Sequence, residues 1–488
     1  MKKVIKKLTI FLVLVAILST SLITVRYSFK NFWFKYIEKP KQEEYMTVFV
    51  HGAFGSLLGL FNFFQVLNDD IEGTNYKKTI NKMRKDPYFY KSQPILNRGL
   101  VKIEPTFNLE ETQNNKYVAY PVAKAYQTIL EQIKPHQEKN YFYTFGWSGL
   151  LSQRRRRQES IRFYNTLSEE LEKLKEQGIN PKIRIIAHSH GGNLSLNLAG
   201  VNTVLNNLNN KNSLKKVSQT NDEKKSLFNI LQLIKRLPTK NVAKKKKGQK
   251  AFEYKPTNKD LTVDELIMLG TPIQPETELF AFNNFFNKVF NFYSEEDHAQ
   301  KADWVSSRRY YSDQRFSKTS PKVIQARIML GRILEKITTT TADQTITTTL
   351  ISNPEKKQSF WSRFFSGENI WGTKTQDPTH KELWFTSWEK EEDMTPFDPL
   401  PTVVFTPLFL SAIEKISDKI NDIDLNFDIA KSKITLCAIK HGEEKVENKI
   451  SIYRSIIEKI KTKILKWKPD DLSHSAEQNI ISRYSERF

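Results

Sequence analysis

Ser189 is the residue around which chemistry can be built. It lies in Ile183-Arg-Ile-Ile-Ala-His-Ser-His-Gly-Gly192, between an apolar run and a helix-forming run that begins near Asn193. A serine hydroxyl is a weak nucleophile, so it needs a base, and the base needs a carboxylate to orient it. If the chain turns sharply from strand to helix at Ser189, the hydroxyl is lifted above the sheet edge. So tight a turn demands small residues two places before and two places after the serine, and these are Ala187 and Gly191. The helix that follows offers backbone N–H groups where a negative oxygen would form. Such a string also arises by chance, so it has to be weighed with its neighbours.

A second segment, Tyr45-Met-Thr-Val-Phe-Val-His-Gly-Ala-Phe-Gly55, is an apolar β-type run that ends in His51-Gly52. Glycine at such a turn lets backbone approach a reacting carbonyl closely. The backbone N–H of Ala53 and that of His190 are then the expected pair of oxyanion donors. The bland reading is an ordinary strand ending at a glycine turn. Two such motifs in this order favour the chemical one.

Four segments together carry a family resemblance: Val48–Gly55, Phe145-Gly-Trp-Ser-Gly149, Ile186-Ala-His-Ser-His-Gly-Gly-Asn193 and Met268-Leu-Gly-Thr-Pro-Ile273. On these the chain resembles an α/β-hydrolase, close to the bacterial lipase- and esterase-like members, over about Tyr45 to Trp384. Ala187 stands where the usual pattern has glycine and adds only a methyl group. The resemblance implies a nucleophile elbow at Ser189 and the chain order serine, acid, histidine. The strand-like run Val289–Ser294 leads into Glu295-Glu-Asp-His298, so the implied acid is Asp297, with Glu295, Glu296 and Asp303 as alternatives. The implied histidine is His380, in the turn-rich Asp377-Pro-Thr-His-Lys-Glu-Leu-Trp-Phe385. His441 is the fallback, and His474 lies in a polar tail. Phe54, Leu57 and Leu58, just past the oxyanion turn, are expected to line an apolar substrate site. Ser148 also sits between glycines but lacks a small residue two places later, and it is expected to be structural. His188 and His190 form a His-x-His pair, yet no cysteine or carboxylate motif completes a metal site. They are expected to pack beside the site, with no metal and no cofactor.

The elements that must position these residues follow from the pattern. Strands are expected near 45–50, 141–145, 182–187, 264–269, 289–294 and 322–330, with helices between them. Ile161, Tyr164, Leu167, Leu171 and Leu174 recur at helical spacing, and Gly178 is a stop. Alternating strands and helices imply an α/β fold with a mostly parallel central sheet flanked by helices and interrupted by large insertions. Arg154–Arg157 is expected to be a solvated or ion-paired helix face. The phenylalanines at 280, 282, 285, 286 and 290 are expected to be mostly core. Beyond about 390 the pattern gives a helix near 407–421, a β-like run at 433–439 and a charged helix near 447–467.

The 488 residues divide on this reading into an N-terminal segment 1–35, a catalytic domain 36–400 and a C-terminal extension 401–488. The formal net charge of +22 invites nucleic acid as a partner. The charge is concentrated, however: residues 211–259 hold 14 Lys and one Arg against three acids, with no nucleic-acid-binding motif. A basic insertion of this kind suits anionic lipid headgroups better. A second insertion, 331–378, combines a threonine-rich patch with Phe360, Trp361, Phe364, Phe365 and Trp371. It is read as a lid, as a segment that dips into a membrane interface, or as local core packing. The single cysteine, Cys437, allows no intramolecular disulfide. Lys2, Lys3, Lys6 and Lys7 precede an uncharged run from Leu8 to Val25. Eighteen residues of helix span ~27 Å, just enough for a bilayer core. A retained transmembrane anchor with an exported catalytic domain is favoured over a cleaved signal peptide, which would release a secreted or periplasmic protein.

The resulting expectation is a membrane-associated serine hydrolase acting on a carboxylic ester of an apolar, lipid-like substrate. Acyl transfer, thioester or amide cleavage by the same three residues is an alternative within enzymes. A scaffold of the same fold that binds at the membrane without catalysis is the alternative outside them.

Overall fold

The computed structural model describes residues 42–53, 99–108, 118–149, 153–207, 220–236, 261–295, 297, 312–329, 377–380, 382–384, 400–416, 419–430, 432–443 and 445–465, and the backbone of 336–341 and 344–349. The N-terminal apolar run, Phe54, Leu57, Leu58, Glu296, Asp303, His474 and most of both insertions lie outside the described residues. Among the described residues no helix is long and apolar enough to cross a membrane. Two compact units are distinguished, residues 1–43 with 136–139 and residues 44–135 with 140–488. In the described part of the first, the Glu43 N–H donates to the Gln137 carbonyl.

The second unit is α/β. Ten strands form one sheet: β1 (Glu43–Val50), β2 (Gly99–Ile103), β3 (Glu138–Gly146), β4 (Lys182–His188), β5 (Val263–Leu269), β6 (Phe286–Tyr293), β7 (Val323–Met329), β10 (Asp422–Ile429), β11 (Lys433–Lys440) and β12 (Val446–Tyr453). Their order is β12-β11-β10-β7-β6-β5-β4-β1-β3-β2. The central run β1-β4-β5-β6-β7-β10 is parallel throughout. Antiparallel pairs close both ends, β2 with β3 and β10-β11-β12.

Parallel strands need both faces covered, because their crossovers place helices on each side. The strands here supply two apolar faces by simple alternation. Phe49, Ile186, Ile267 and Phe290 point to one side, where α1 (Ala119–Ile133), α5 (Thr406–Ile413) and α6 (Arg454–Leu465) pack. Val48, Ile185, Leu266 and Val289 point to the other, under α2 (Gln153–Glu176), α3 (His190–Asn206) and α4 (Asn221–Arg236). The phenylalanines at 280, 285, 286 and 290 are buried core on these two faces, and Phe282 packs against the second of them.

All six expected strands form. The C-terminal expectations need correction. The helix expected over 407–421 ends at Ile413, and a strand the pattern reading missed, β10, follows from Asp422. The helix expected over 447–467 is half strand: β12 runs to Tyr453 before α6 begins at Arg454. Ile450 and Ile452 alternate, but they merge in sequence with the helical face Ile456, Ile457, Ile460 and Ile464, so the change of period is masked. The extension therefore continues the central sheet, with β10 beside β7. The threonine-rich patch contributes a separate two-stranded antiparallel sheet, β8 (Lys336–Thr341) and β9 (Gln344–Thr349). Arg154–Arg157 is only partly solvated: Arg156 and Arg157 are buried, and Arg156 donates to the Gln274 side chain at 2.9 Å.

After β1 the chain moves to one edge of the sheet through β2 and β3, then returns to the opposite side of β1 as β4. Such a switch of direction opens a crevice at the carboxyl ends of the two strands. His51 and Ser189 follow the last residues of β1 and β4 at that point.

Candidate active site

Ser189 has φ 51° and ψ −132°, and His136 is the other non-glycine residue at positive φ among those described. A side chain in this region costs on the order of 1–3 kcal/mol and persists only where its surroundings enforce it. The enforcement is visible. The Ser189 N–H donates to the Leu269 carbonyl at the end of β5, and the Gly192 N–H donates to the Ser189 carbonyl as α3 begins, both at 2.9 Å.

The two glycines after the serine are required by space. A Cβ on Gly191 would stand 2.5 Å from the His51 carbonyl oxygen and 2.8 Å from that of Val50. One on Gly192 would stand 2.0 Å from Thr271 Oγ1. The first turn of α3 is thus wedged between the end of β1 and the Leu269-Gly-Thr-Pro272 turn. Asn193 fastens it there: its amide donates to the Pro272 carbonyl at 2.8 Å and its oxygen accepts from Thr277 Oγ1 at 2.6 Å. Gly52 faces the serine itself, since a Cβ there would lie 2.7 Å from Ser189 Cβ. This brings the Gly52-Ala53 turn against the nucleophile position. His190, at the first position of α3, is buried. The N–H groups at the start of a helix carry its positive dipole end.

The turn after β1 is braced by a residue from the Phe145–Gly149 segment. The Trp147 backbone N–H donates to His51 Nε2 at 3.1 Å, and its indole N–H donates to the His51 carbonyl at 2.7 Å. With Nε2 accepting, the proton sits on Nδ1, which donates to the Gly52 carbonyl at 2.7 Å. Trp147 is thus a support that the sequence motif left unassigned. Ser148 is buried and its hydroxyl has no hydrogen-bond partner, so no described base activates it.

Asp297 and His380 are brought together from opposite sides of the second insertion. His380 Nδ1 lies 2.8 Å from Asp297 Oδ2, with the aspartate wholly buried and the histidine side chain 21% exposed. Their floor is Gly270, at φ 59°. A Cβ there would fall 2.5 Å from Asp297 Oδ2 and 3.3 Å from His380 Nδ1. The acid turn is held by its own backbone, Asp297 N–H to the Ser294 carbonyl at 3.1 Å, and by the Gln314 amide.

The other described candidates, Glu295 and His441, fall elsewhere. Glu295 is ion-paired with Arg327, and His441 is paired with Asp424 through Nδ1 at 2.9 Å. His188 points its Nε2 at the His380 carbonyl oxygen, 2.8 Å away, instead of pairing with His190 around an ion. Among the described residues no three His, Cys, Asp or Glu side chains are grouped to hold a metal ion. Burial pushes the His188 imidazole well below its ordinary range, helped by the neighbouring imidazoles of His380, His51 and His190 and opposed by its bond to the His380 carbonyl.

Geometrically, the strand ends present a serine at a strained turn, a buried carboxylate paired with a partly exposed imidazole, and two backbone turns beside the serine. No family model matches the chain, no curated protein matches it, and no solved structure matches it.

Proposed function

We propose that this chain is a membrane-associated serine hydrolase of the α/β-hydrolase type, cleaving a carboxylic ester of an apolar, lipid-like substrate. The observation that carries the reading is the strained backbone of Ser189 at the β4–α3 junction, with Asp297 and His380 hydrogen-bonded over Gly270 at the neighbouring strand end. A structural serine has no need of such a conformation.

In this reading Ser189 Oγ attacks the ester carbonyl carbon while its proton passes to His380 Nε2. The carbonyl electron pair moves onto oxygen, where the N–H groups of Ala53 and His190 receive it. Asp297 holds the Nδ1–H and stabilises the imidazolium. Collapse expels the alcohol, which takes the proton from His380 and leaves an acyl-serine. Water then repeats the steps, giving its proton to His380 and its oxygen to the carbonyl, and Ser189 departs protonated. These steps call on no cofactor or metal. The apolar residues Phe54, Leu57 and Leu58 directly after the oxyanion turn support an acyl substrate. The basic insertion and the lysine-led apolar run from Leu8 to Val25 support action at an anionic membrane, with the catalytic part exported.

The test is labelling of the full chain in detergent micelles with a fluorophosphonate probe, read by peptide mass spectrometry. Label on Ser189, lost in Ser189→Ala and His380→Ala, is expected, together with faster hydrolysis of long-chain than acetyl esters. Folded protein that takes no label at any detergent concentration would sink the proposal.

A further inference from the structure

His188 closes β4 and immediately precedes Ser189, yet the steps above give its side chain nothing to do. It is 4% exposed and lies between two separate parts of the site. Its Nε2 lies 2.8 Å from the backbone carbonyl oxygen of His380. A carbonyl can only accept, so Nε2 carries the proton. Its ring lies flat on Trp384, with centroids 5.6 Å apart and planes at 6°, and stands 4.6 Å from the His380 ring. Its opposite edge faces the turn after β1, where a Cβ on Gly52 would come 3.0 Å from Nδ1.

We infer that His188 is a positioning residue: a neutral Nε2–H donor that fixes the backbone of the His380 loop to the strand carrying the nucleophile. This rests on the hydrolase reading for its kinetic consequences but not for its structural ones.

The His380 loop has local ties of its own. The Thr379 N–H donates to the Glu382 carboxylate at 2.6 Å, and the Thr402 N–H donates to the Glu382 carbonyl at 2.9 Å. Those bonds shape the loop without referring it to the serine. Asp297 fixes the ring through Nδ1, whereas His188 fixes the backbone from which that ring hangs. Because His188 is covalently adjacent to Ser189, any shift of the His380 carbonyl relative to the nucleophile has to break or stretch this bond. Proton transfer depends steeply on such a separation.

Neutrality is part of the role. His380 becomes an imidazolium in each half of the reaction, and a second cation one ring away would oppose it. The titratable groups facing His188 are the imidazoles of His380, His51 and His190, none of which favours a charge on it; the bond to the His380 carbonyl favours one but is outweighed by burial. A simple packing residue needs only the flat ring on Trp384. A positioning residue needs the donor as well.

Two variants separate these roles. His188→Phe keeps a ring against Trp384 and removes the donor, while His188→Gln restores an N–H donor without the ring. Steady-state ester hydrolysis and the rate of fluorophosphonate labelling are measured on the full chain. For His188→Phe we expect kcat and labelling to fall about 10²-fold, with KM changed less than about threefold. His188→Gln should recover at least about tenfold of that loss. Equal loss in both variants, or none in His188→Phe, overturns the inference. A second measurement does not depend on catalysis or on the variants folding: nitrogen NMR of histidine-labelled wild-type protein. His188 is expected as the neutral Nε2–H tautomer at about pH 6, where an ordinary imidazole is already mostly charged. An imidazolium or an Nδ1–H tautomer there overturns the inference. Wild-type protein that shows the tautomer but takes no label would instead count against the hydrolase reading alone.

Discussion

Two aspartate–histidine pairs stand at different places along the same sheet. Asp297 and His380 meet through Oδ2 and Nδ1 at 2.8 Å, and Asp424 and His441 meet through Oδ1 and Nδ1 at 2.9 Å. By bond length alone they are equivalent. Their surroundings differ. Asp424, on β10, gives both oxygens to Arg327 of β7, at 2.9 and 2.8 Å, and Arg327 continues to Glu295. That carboxylate is fully engaged in a cross-strand ion pair, and His441 is added at its more exposed rim. Asp297 is wholly buried over a glycine that leaves room for it, and its histidine is also held by the residue next to a strained serine. A carboxylate–imidazole pair is therefore a common structural device. The serine turn and the glycine floor distinguish the site.

The largest effects should separate the two pairs. If Ser189, His380 and Asp297 form the proposed triad, Ser189→Ala and His380→Ala should each lower kcat by roughly 10⁴-fold or more, since triad members act as a unit. Neither should shift the thermal midpoint greatly, because Ser189 is held in strain and His380 is partly exposed. Asp424→Ala should do the reverse. It takes two charge-assisted bonds from the Arg327 guanidinium, leaving its pair with Glu295, and should cost about 3 kcal/mol of stability, read as a lower urea midpoint, the low end of the range for breaking a buried pair. Labelling of Ser189 in protein that remains folded should be within about threefold of wild type, since Asp424 is not part of the proposed site. Loss of label in folded Asp424→Ala would mean that the Arg327–Glu295 link controls the acid turn and that the pairs are not independent.

Gly270→Ala sharpens the comparison at the floor of the site. It forces alanine to φ 59° and sets a Cβ 2.5 Å from Asp297 Oδ2. The backbone cost is about 1 kcal/mol, and displacement of the pair should lower labelling about 10²-fold. Wild-type labelling in this variant would show that the Asp297–His380 spacing is not critical. The pH dependence of stability gives a smaller effect of fixed sign. His188 is held neutral when folded and regains an ordinary value near 6.5 when unfolded. The unfolded chain then binds one more proton below about pH 6.5, so stability is lost as pH falls, by up to about 1.4 kcal/mol per unit. Above that pH the group contributes nothing. The slope of urea stability against pH between about 7 and 5 should be shallower in His188→Gln by close to one proton, and identical slopes would contradict it.

What could be read in the sequence follows the range of the forces involved. The elbow was legible because its small residues sit within a few positions of Ser189, and the parallel strands because Ile183–Ala187 and Val263–Leu269 are near-continuous apolar runs. β10 escaped notice although Ile423, Leu425 and Phe427 alternate, because Asp422, Asp424 and Asn426 between them disfavour strands in isolation. The two aspartates are accommodated here by distant partners: Arg327 of β7 binds Asp424, and Arg315 pairs with Asp422. The same limit hid the supports of the site. Trp147 braces His51 across 96 positions, and His188 reaches His380 across 192. No local pattern carries such a pairing. The need for Gly270 emerges only once Asp297 and His380 are seen above it.

The smallest effect is also the most decisive about which histidine matters. His441 was the sequence's fallback base, and it has an aspartate at hydrogen-bond distance, as a base should. Its side chain is 34% exposed, however, and its partner already binds Arg327 through both oxygens. A pair at such a rim contributes about 0.5–1 kcal/mol at most. His441→Ala should therefore lower the urea stability by no more than that and leave Ser189 labelling unchanged within error, at low and at high salt. Arg327 should keep Asp424 in place without it. If His441→Ala abolished labelling while His380→Ala retained it, the base would have been assigned to the wrong pair. The strained serine would then have to be served from the β10 side of the sheet, by a histidine whose aspartate also binds Arg327 through both oxygens.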